Sequence, residues 1–248
     1  MGIAPKQINE QEILDLDSIS LEQRKLLLLE LDETNVRRGV YKNFIKEFKA
    51  LMLDGLLLQH GASRKFRLLE IGSGNGGLAR EILEMARGTI DIEYHMMDMN
   101  IDVLKWAQDR LRKNGHDVVI HPSTEVHLAQ FKDEEFDIVI SLHVLHHIHP
   151  LASLGAMFWQ IQRMCALGFF MVDFERRYGN VLIGTLDNSF HRVIPSQRTD
   201  GIKSLRRAYS KDEIMFVFNQ HAQRFTLLHR SLFIVPYQFI WGFKKAVA

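Results

Sequence analysis

Leu68-Leu69-Glu70-Ile71-Gly72-Ser73-Gly74-Asn75-Gly76-Gly77 joins an apolar run to four glycines, with a single acid inside the apolar part. Arg67–Ile71 predicts a buried strand and Gly77–Ala86 a helix, so the glycines occupy a strand-to-helix turn. Residues without Cβ let backbone approach a ligand closely and adopt positive φ without strain. The Lys-Ser/Thr pair of a phosphate-cradling loop is missing, which disfavours a nucleoside triphosphate. Gly72, Gly74 and Gly77 do meet the G-x-G-x-x-G spacing of dinucleotide sites. A tight turn that holds no ligand also fits the glycines taken alone.

Outward from this turn, strand and helix patterns alternate. Strands are expected at Ile92–Met97, Asp117–His121, Phe136–Leu142 and Phe169–Asp173, and helices at Ile101–Asn114 and Leu151–Met164. That alternation predicts an α/β fold, a parallel sheet with helices on both faces. Ser210 and Glu213 form a capping box that opens a helix to about Ala222. Arg224–Phe233 and Tyr237–Lys244, turning at Pro236, read as a closing hairpin and an antiparallel edge. Upstream, Leu21–Leu58 is helical in pattern, with Val40, Phe44, Phe48, Leu51 and Met52 apolar at three- and four-residue spacing. Asp32 and Thr34 are expected to cap two helices there. Residues 1–20 predict a loosely held arm, and 176–209 an irregular, basic insertion. Residues 1–60 thus read as a helical N-terminal extension and 61–248 as the main domain.

The chain has 248 residues, 46% hydrophobic and 25% charged, enough for a large core. A net charge of +1 argues against bulk attraction to nucleic acid or an anionic membrane. The single Cys165 excludes an internal disulfide and a cysteine-based zinc site, and fits a reducing compartment. No signal peptide is expected from MGIAPKQINEQE and no membrane span from any apolar run, so a soluble cytoplasmic protein is the default.

Two acids discriminate among ligands. Glu70, just before the glycines, repels a pyrophosphate but accepts hydrogen bonds from an ammonium or from water beside one. Asp98, in YHMMDMN, ends the next strand at the position that bonds a ribose diol. A ribose with a cationic amino-acid end and no phosphate satisfies both, and S-adenosylmethionine is that ligand. E-x-G-x-G-x-G, the strand ending in Asp98, and FDIVISLHVLHHI at the fourth strand together resemble the class I S-adenosylmethionine-dependent methyltransferases over residues 60–245. Within that class the chain is similar to ubiquinone/menaquinone methylases. ETNVRRGVYKNFIKEF and DGIKSLRRAYSKDEI also resemble segments of methyltransferases found beside type III polyketide synthases.

The resemblance implies a Rossmann-like seven-stranded, mostly parallel sheet with an antiparallel last strand and a lid insertion after the fifth strand. It implies that Glu70 orients the amino group and waters, and that Gly72, Gly74 and Gly76 let the methionine end lie against backbone. Asp98 would bind both ribose hydroxyls and Met99 would pack on the adenine. HPSTEVHL departs from the family's Gly-Asp-Ala, leaving Thr124 or Glu125 for the adenine amine. Ser141 would sit beneath the methyl donor.

SLHVLHHIHP carries four histidines. His143 and His146 follow the strand end most closely and are the candidates to take a phenol's proton. His147 and His149 read as packing residues. His-x-x-His is also a metal-ligand spacing, but no nearby acid or cysteine completes it in sequence, so no metal is expected. Phe44, Phe48, Met52, Phe190 and Tyr209 are candidate pocket walls, although ordinary core packing suits each one singly. Basic residues of 176–209 either grip an anionic substrate or form a solvated patch. The function expected is methylation, chiefly at oxygen, of a small aromatic or polyketide-like molecule. A quinone-type carbon methyltransferase and a non-catalytic binding subunit remain open, as does a homodimer.

Overall fold

The computed structural model describes residues 4–16, 18–61, 64–124, 127–182, 195–231 and 236–245, with backbone alone over 195–199. Its strands are β1 (Phe66–Ile71), β2 (Ile92–Asp98), β3 (Val119–Pro122), β4 (Phe136–Leu142), β5 (Cys165–Phe174), β6 (Phe225–Ser231) and β7 (Tyr237–Lys244). They form one sheet in the order β3-β2-β1-β4-β5-β7-β6. β1 to β5 pair in parallel, and β7 runs antiparallel to both β5 and β6. The mostly parallel sheet with an antiparallel last strand is therefore as expected, but that strand is not an edge. The chain crosses from β5 to β6 one strand-width too far, and the hairpin return fills the gap.

Phe136 to Ser141 are all buried, because a parallel strand between two helical layers meets apolar neighbours on both faces. One layer holds α6 (Leu151–Met164) and α8 (Lys211–His221), where Phe158, Phe169 and Phe218 meet. The other holds α4 (Gly77–Ala86) and α5 (Ile101–Lys113), joined by the N-terminal helices.

Asp32 and Thr34 prove not to be caps. Ser20 caps α1, a single helix over Leu21–Arg37, its side chain accepting from the Gln23 N–H. The break falls at Gly39, whose φ of +67° starts α2 (Val40–Phe48), followed by a π-turn at Lys49–Leu53 and α3 (Asp54–His60). Phe44 and Phe48 lie 5.1 and 5.6 Å from Phe170, so with Met52 they are core rather than pocket wall. Phe190 lies outside the described residues.

Two expectations about irregular segments are corrected. Pro195–Arg207 is a helix, α7, hidden from periodicity reading by its polar surface. The N-terminal arm is not loose: Ile8 N–H donates to Arg206 C=O, Ile13 N–H to Asp200 Oδ2 at 3.0 Å, and Ser204 Oγ to Glu12 Oε1 at 2.8 Å. Arg207 pairs with Asp15. These partners lie some 190 residues away in sequence, beyond the reach of any local pattern. No helix among the described residues is long and apolar enough to cross a membrane.

Candidate active site

In this strand order the connections leave β1 and β4 in opposite directions, which opens a crevice at the carboxyl ends of those strands. A cavity of about 830 Å³ lies there, bordered by Glu70, Gly72, Gly74, Asp98, Met99 and His143 among others. Gly72 and Ser73 N–H donate to Met97 C=O at 2.8 and 2.9 Å, binding the turn to the end of β2. Gly74 N–H donates to Asp98 Oδ2 at 3.0 Å and Asn100 N–H to Oδ1 at 3.1 Å, so Asp98 braces the turn from below.

Glycine is demanded at Gly72, where φ is +72° and a Cβ would lie 2.3 Å from Val144 Cγ2 of the loop after β4. Gly88 has a similar φ of +73° but open space around it. Gly72→Ala is therefore expected to destabilise the fold by about 2–4 kcal/mol, against about 1 kcal/mol for Gly88→Ala. Urea denaturation measures both, and adding Val144→Ala to Gly72→Ala should restore the clash component alone.

Glu70 is 3% exposed, and its Oε2 accepts a 2.8 Å hydrogen bond from Tyr94. Burial foremost, together with the Asp98 charge, pushes its pKa up to about 8. Asp98 is raised too, again chiefly by burial. Two carboxylates thus share one cavity wall and favour a cation over an anion.

His143 has a positive φ of 58°, stacks 4.6 Å from Phe174 and 5.1 Å from Tyr237, and its Nε2 has no partner among the described residues. Burial pulls its pKa down to about 4, so the ring is neutral at pH 7. A depressed histidine stabilises the fold fully above its unfolded pKa of about 6.5, and loses that contribution as pH falls through about 4. Its imidazole nitrogen resonances are accordingly expected to stay those of a neutral ring down to about pH 5. An ordinary titration near pH 6.5 would contradict this.

The other histidines reverse the sequence expectation. His146 does not border the cavity, while His147 and His149 do. In the 3₁₀ turn Leu145–His147, successive side chains diverge by about 120°, sending the two residues different ways. His146 is 2% exposed, its Nδ1 2.7 Å from Asp173 Oδ1 and its N–H 3.0 Å from Oδ2. Burial opposes protonation of His146, but Asp173 and then Glu12 prevail and raise its pKa.

Ser141 is wholly buried within the sheet and is not on the cavity wall; its neighbours Leu142 and His143 are. Thr124 pairs with His127 Nδ1 at 2.8 Å, and Ser123 borders the cavity in its place. Glu125 lies outside the described residues. Met99 is exposed at the rim, and Gly76 has the left-handed φ of 75° that starts α4 without itself bordering the cavity. Tyr209 is buried, its hydroxyl 2.5 Å from Ile148 C=O.

Sequence reading missed the contribution of α1 and α2. Arg24, Asp32, Asn35 and Tyr41 border the cavity, and Tyr41 donates to Asp32 Oδ1 at 2.9 Å. A Cβ on Gly77 would lie 2.3 Å from Asp32 Oδ1 and 2.4 Å from the Tyr41 hydroxyl, so this pair closes directly on the glycine turn. The available signal was the i, i+3 spacing of Asp32 and Asn35, which places two polar groups on one helix face.

A family model described as a methyltransferase domain matches residues 69–168. A highly reducing polyketide synthase, pkhB of Emericella nidulans, is 30% identical over 142 residues, which are 55% of this chain. The chain spans only 5% of that synthase's length. Magnesium protoporphyrin IX methyltransferase (ChlM) from Synechocystis PCC 6803, solved with bound S-adenosylmethionine, is similar in structure at 12% identity and a TM-score of 0.56. The match covers 94% of this chain and 88% of that one. CurJ carbon methyltransferase is similar at 16% identity and a TM-score of 0.55, over 77% of this chain and 51% of that one.

Proposed function

We propose that this chain, whose residues 69–168 match a methyltransferase-domain family model, methylates a small aromatic or polyketide-like molecule at oxygen. The cofactor of this reading is S-adenosylmethionine. The observation that carries it is the pair of carboxyl groups, buried Glu70 and half-buried Asp98, on either side of a glycine turn in one cavity. Glu70 faces the cationic amino-acid end, Asp98 takes the ribose hydroxyls, and Gly72 and Gly74 put backbone rather than side chain on that part of the cavity wall. Thr124 and Ser141 hold no contact in this assignment; Ser123, on the wall, is better placed toward the adenine.

When bound, S-adenosylmethionine supplies an electrophilic methyl group. Transfer of that methyl depends mainly on alignment, so the protein's main task is positioning. Neutral His143 borders the cavity; its unpartnered Nε2 is shielded from solvent in the ligand-free chain and would orient the acceptor hydroxyl once the ring turns to meet it. A pKa near 4 makes it a weak base, which assigns it an orienting rather than a proton-driving role. Arg207 and His147, on the same wall, both already face Asp15 and so suit a polar substituent rather than a free anion. The single free thiol, Cys165, agrees with a reducing, cytoplasmic setting.

A second reading, methylation at carbon, is supported by the polyketide synthase match and the likeness to CurJ carbon methyltransferase. The test is incubation with S-adenosylmethionine and two acceptor panels, phenols and β-keto thioesters, with the new methyl located by ¹³C NMR. A methoxy carbon supports the first reading. A methyl on carbon with no phenol turnover moves the assignment to the second.

A further inference from the structure

Glu12, His146 and His147 each present one ligand atom, and the three atoms lie within 4.8 Å of one another. Glu12 comes from the N-terminal arm and the histidines from the turn after β4, so this cluster forms only in the folded chain. The sequence expectation that no acid accompanies these histidines is overturned by the arm.

Asp173 fixes the state of His146. Its Oδ1 lies 2.7 Å from Nδ1, which makes Nδ1 the donor and leaves Nε2 directed to Glu12 Oε1 at 3.5 Å. A ring nitrogen facing a carboxylate oxygen is stable only with positive charge between them, either a proton on the ring or a bound cation. His147 Nδ1 is shielded from solvent and lies 2.9 Å from Asp15 Oδ1, yet out of hydrogen-bond alignment with it. Charges around the cluster also fail to balance. Glu12, Asp15, Asp173 and Asp200 face the cations Arg207 and Lys203, an excess of two negative charges before any imidazole takes a proton.

We propose that Glu12, His146 and His147 bind one divalent transition-metal ion of the zinc class. Two imidazole nitrogens and one carboxylate oxygen suit zinc and its first-row neighbours rather than magnesium or calcium. The Asp173–His146 pair is the outer carboxylate that orients a ligating histidine. Three protein ligands leave a coordination position open, and His147 and Asp15 place the site at the cavity wall. Such an ion clasps the arm to the turn after β4 and holds Asn9, Gln11 and Leu14 in place as part of that wall. The site goes beyond the methyltransferase reading and does not depend on it.

The experiment is calorimetric titration of the intact, chelator-treated chain with zinc, and absorption spectroscopy with cobalt(II). Glu12→Gln, His147→Ala and His127→Ala, an exposed histidine outside the cluster, are run in parallel. Circular dichroism verifies that each variant is folded. The expected result is one ion per chain, ligand-field bands for cobalt, and slower proteolysis within residues 4–16 when zinc is added. Glu12→Gln and His147→Ala should each weaken binding by about 10- to 100-fold or more, the scale of lost metal-site partners, and His127→Ala should not. Absence of stoichiometric binding overturns the proposal. Binding that persists unchanged in both cluster variants does so too, since the ion is then held elsewhere.

Discussion

Asp98→Ala is expected to weaken S-adenosylmethionine binding by about 100-fold or more. Each hydrogen bond from a ribose hydroxyl to an ionised acceptor contributes about 1.5–3 kcal/mol, and about 1.4 kcal/mol is tenfold in affinity. Asp98 loses two such bonds and also releases the Gly74 and Asn100 N–H groups, which loosens the turn that receives the ligand. Asp98→Asn keeps the shape but carries no charge and has one acceptor oxygen fewer. It should fall between wild type and alanine, at about tenfold weaker. Calorimetry on variants with unchanged circular dichroism separates this effect from misfolding. Equal affinity in all three proteins would remove Asp98 from the ligand.

The second large effect is a pH dependence carried by Glu70. Its folded pKa, about 8, is raised above the ordinary 4.5, so its contribution to stability is fully present below pH 4.5 and is lost as pH rises through about 8. Over that window the ligand-free wild type should lose on the order of 4 kcal/mol from this one group. Glu70→Gln carries no proton to lose and should flatten the profile, making the ligand-free variant the more stable protein at pH 8. A cationic ligand has the opposite preference and favours the carboxylate. S-adenosylmethionine binding should therefore release close to one proton per site near pH 6, seen as a heat that varies with buffer ionisation enthalpy. Glu70→Gln should abolish that release and weaken binding. A buffer-independent heat in wild type would show that Glu70 is already ionised, or does not meet the ligand.

Much of the fold was legible because the central strands β1, β4 and β5 are largely apolar runs and the helices beside them carry apolar stripes. Glu70 and Asp98 stood out for the same reason, as charges where the pattern demanded apolar side chains. Asp32, Asn35 and Tyr41 did not, because a polar face on an N-terminal helix reads as solvated until the glycine turn closes on it. His146 was misassigned, since spacing from a strand end cannot show how a 3₁₀ turn rolls. Glu12 and Asp15 were invisible as partners of the histidines because some 130 residues of sequence separate them, and only the folded arm closes that loop.

In the proposed function, the glycine-lined cavity between β1 and β4 holds S-adenosylmethionine. Calorimetric titration of the intact chain with S-adenosylhomocysteine, the same scaffold without the reactive methyl, tests it most directly. The expected result is a single site of micromolar or tighter affinity that Asp98→Ala weakens by about 100-fold or more. No measurable binding by folded wild-type protein would contradict it.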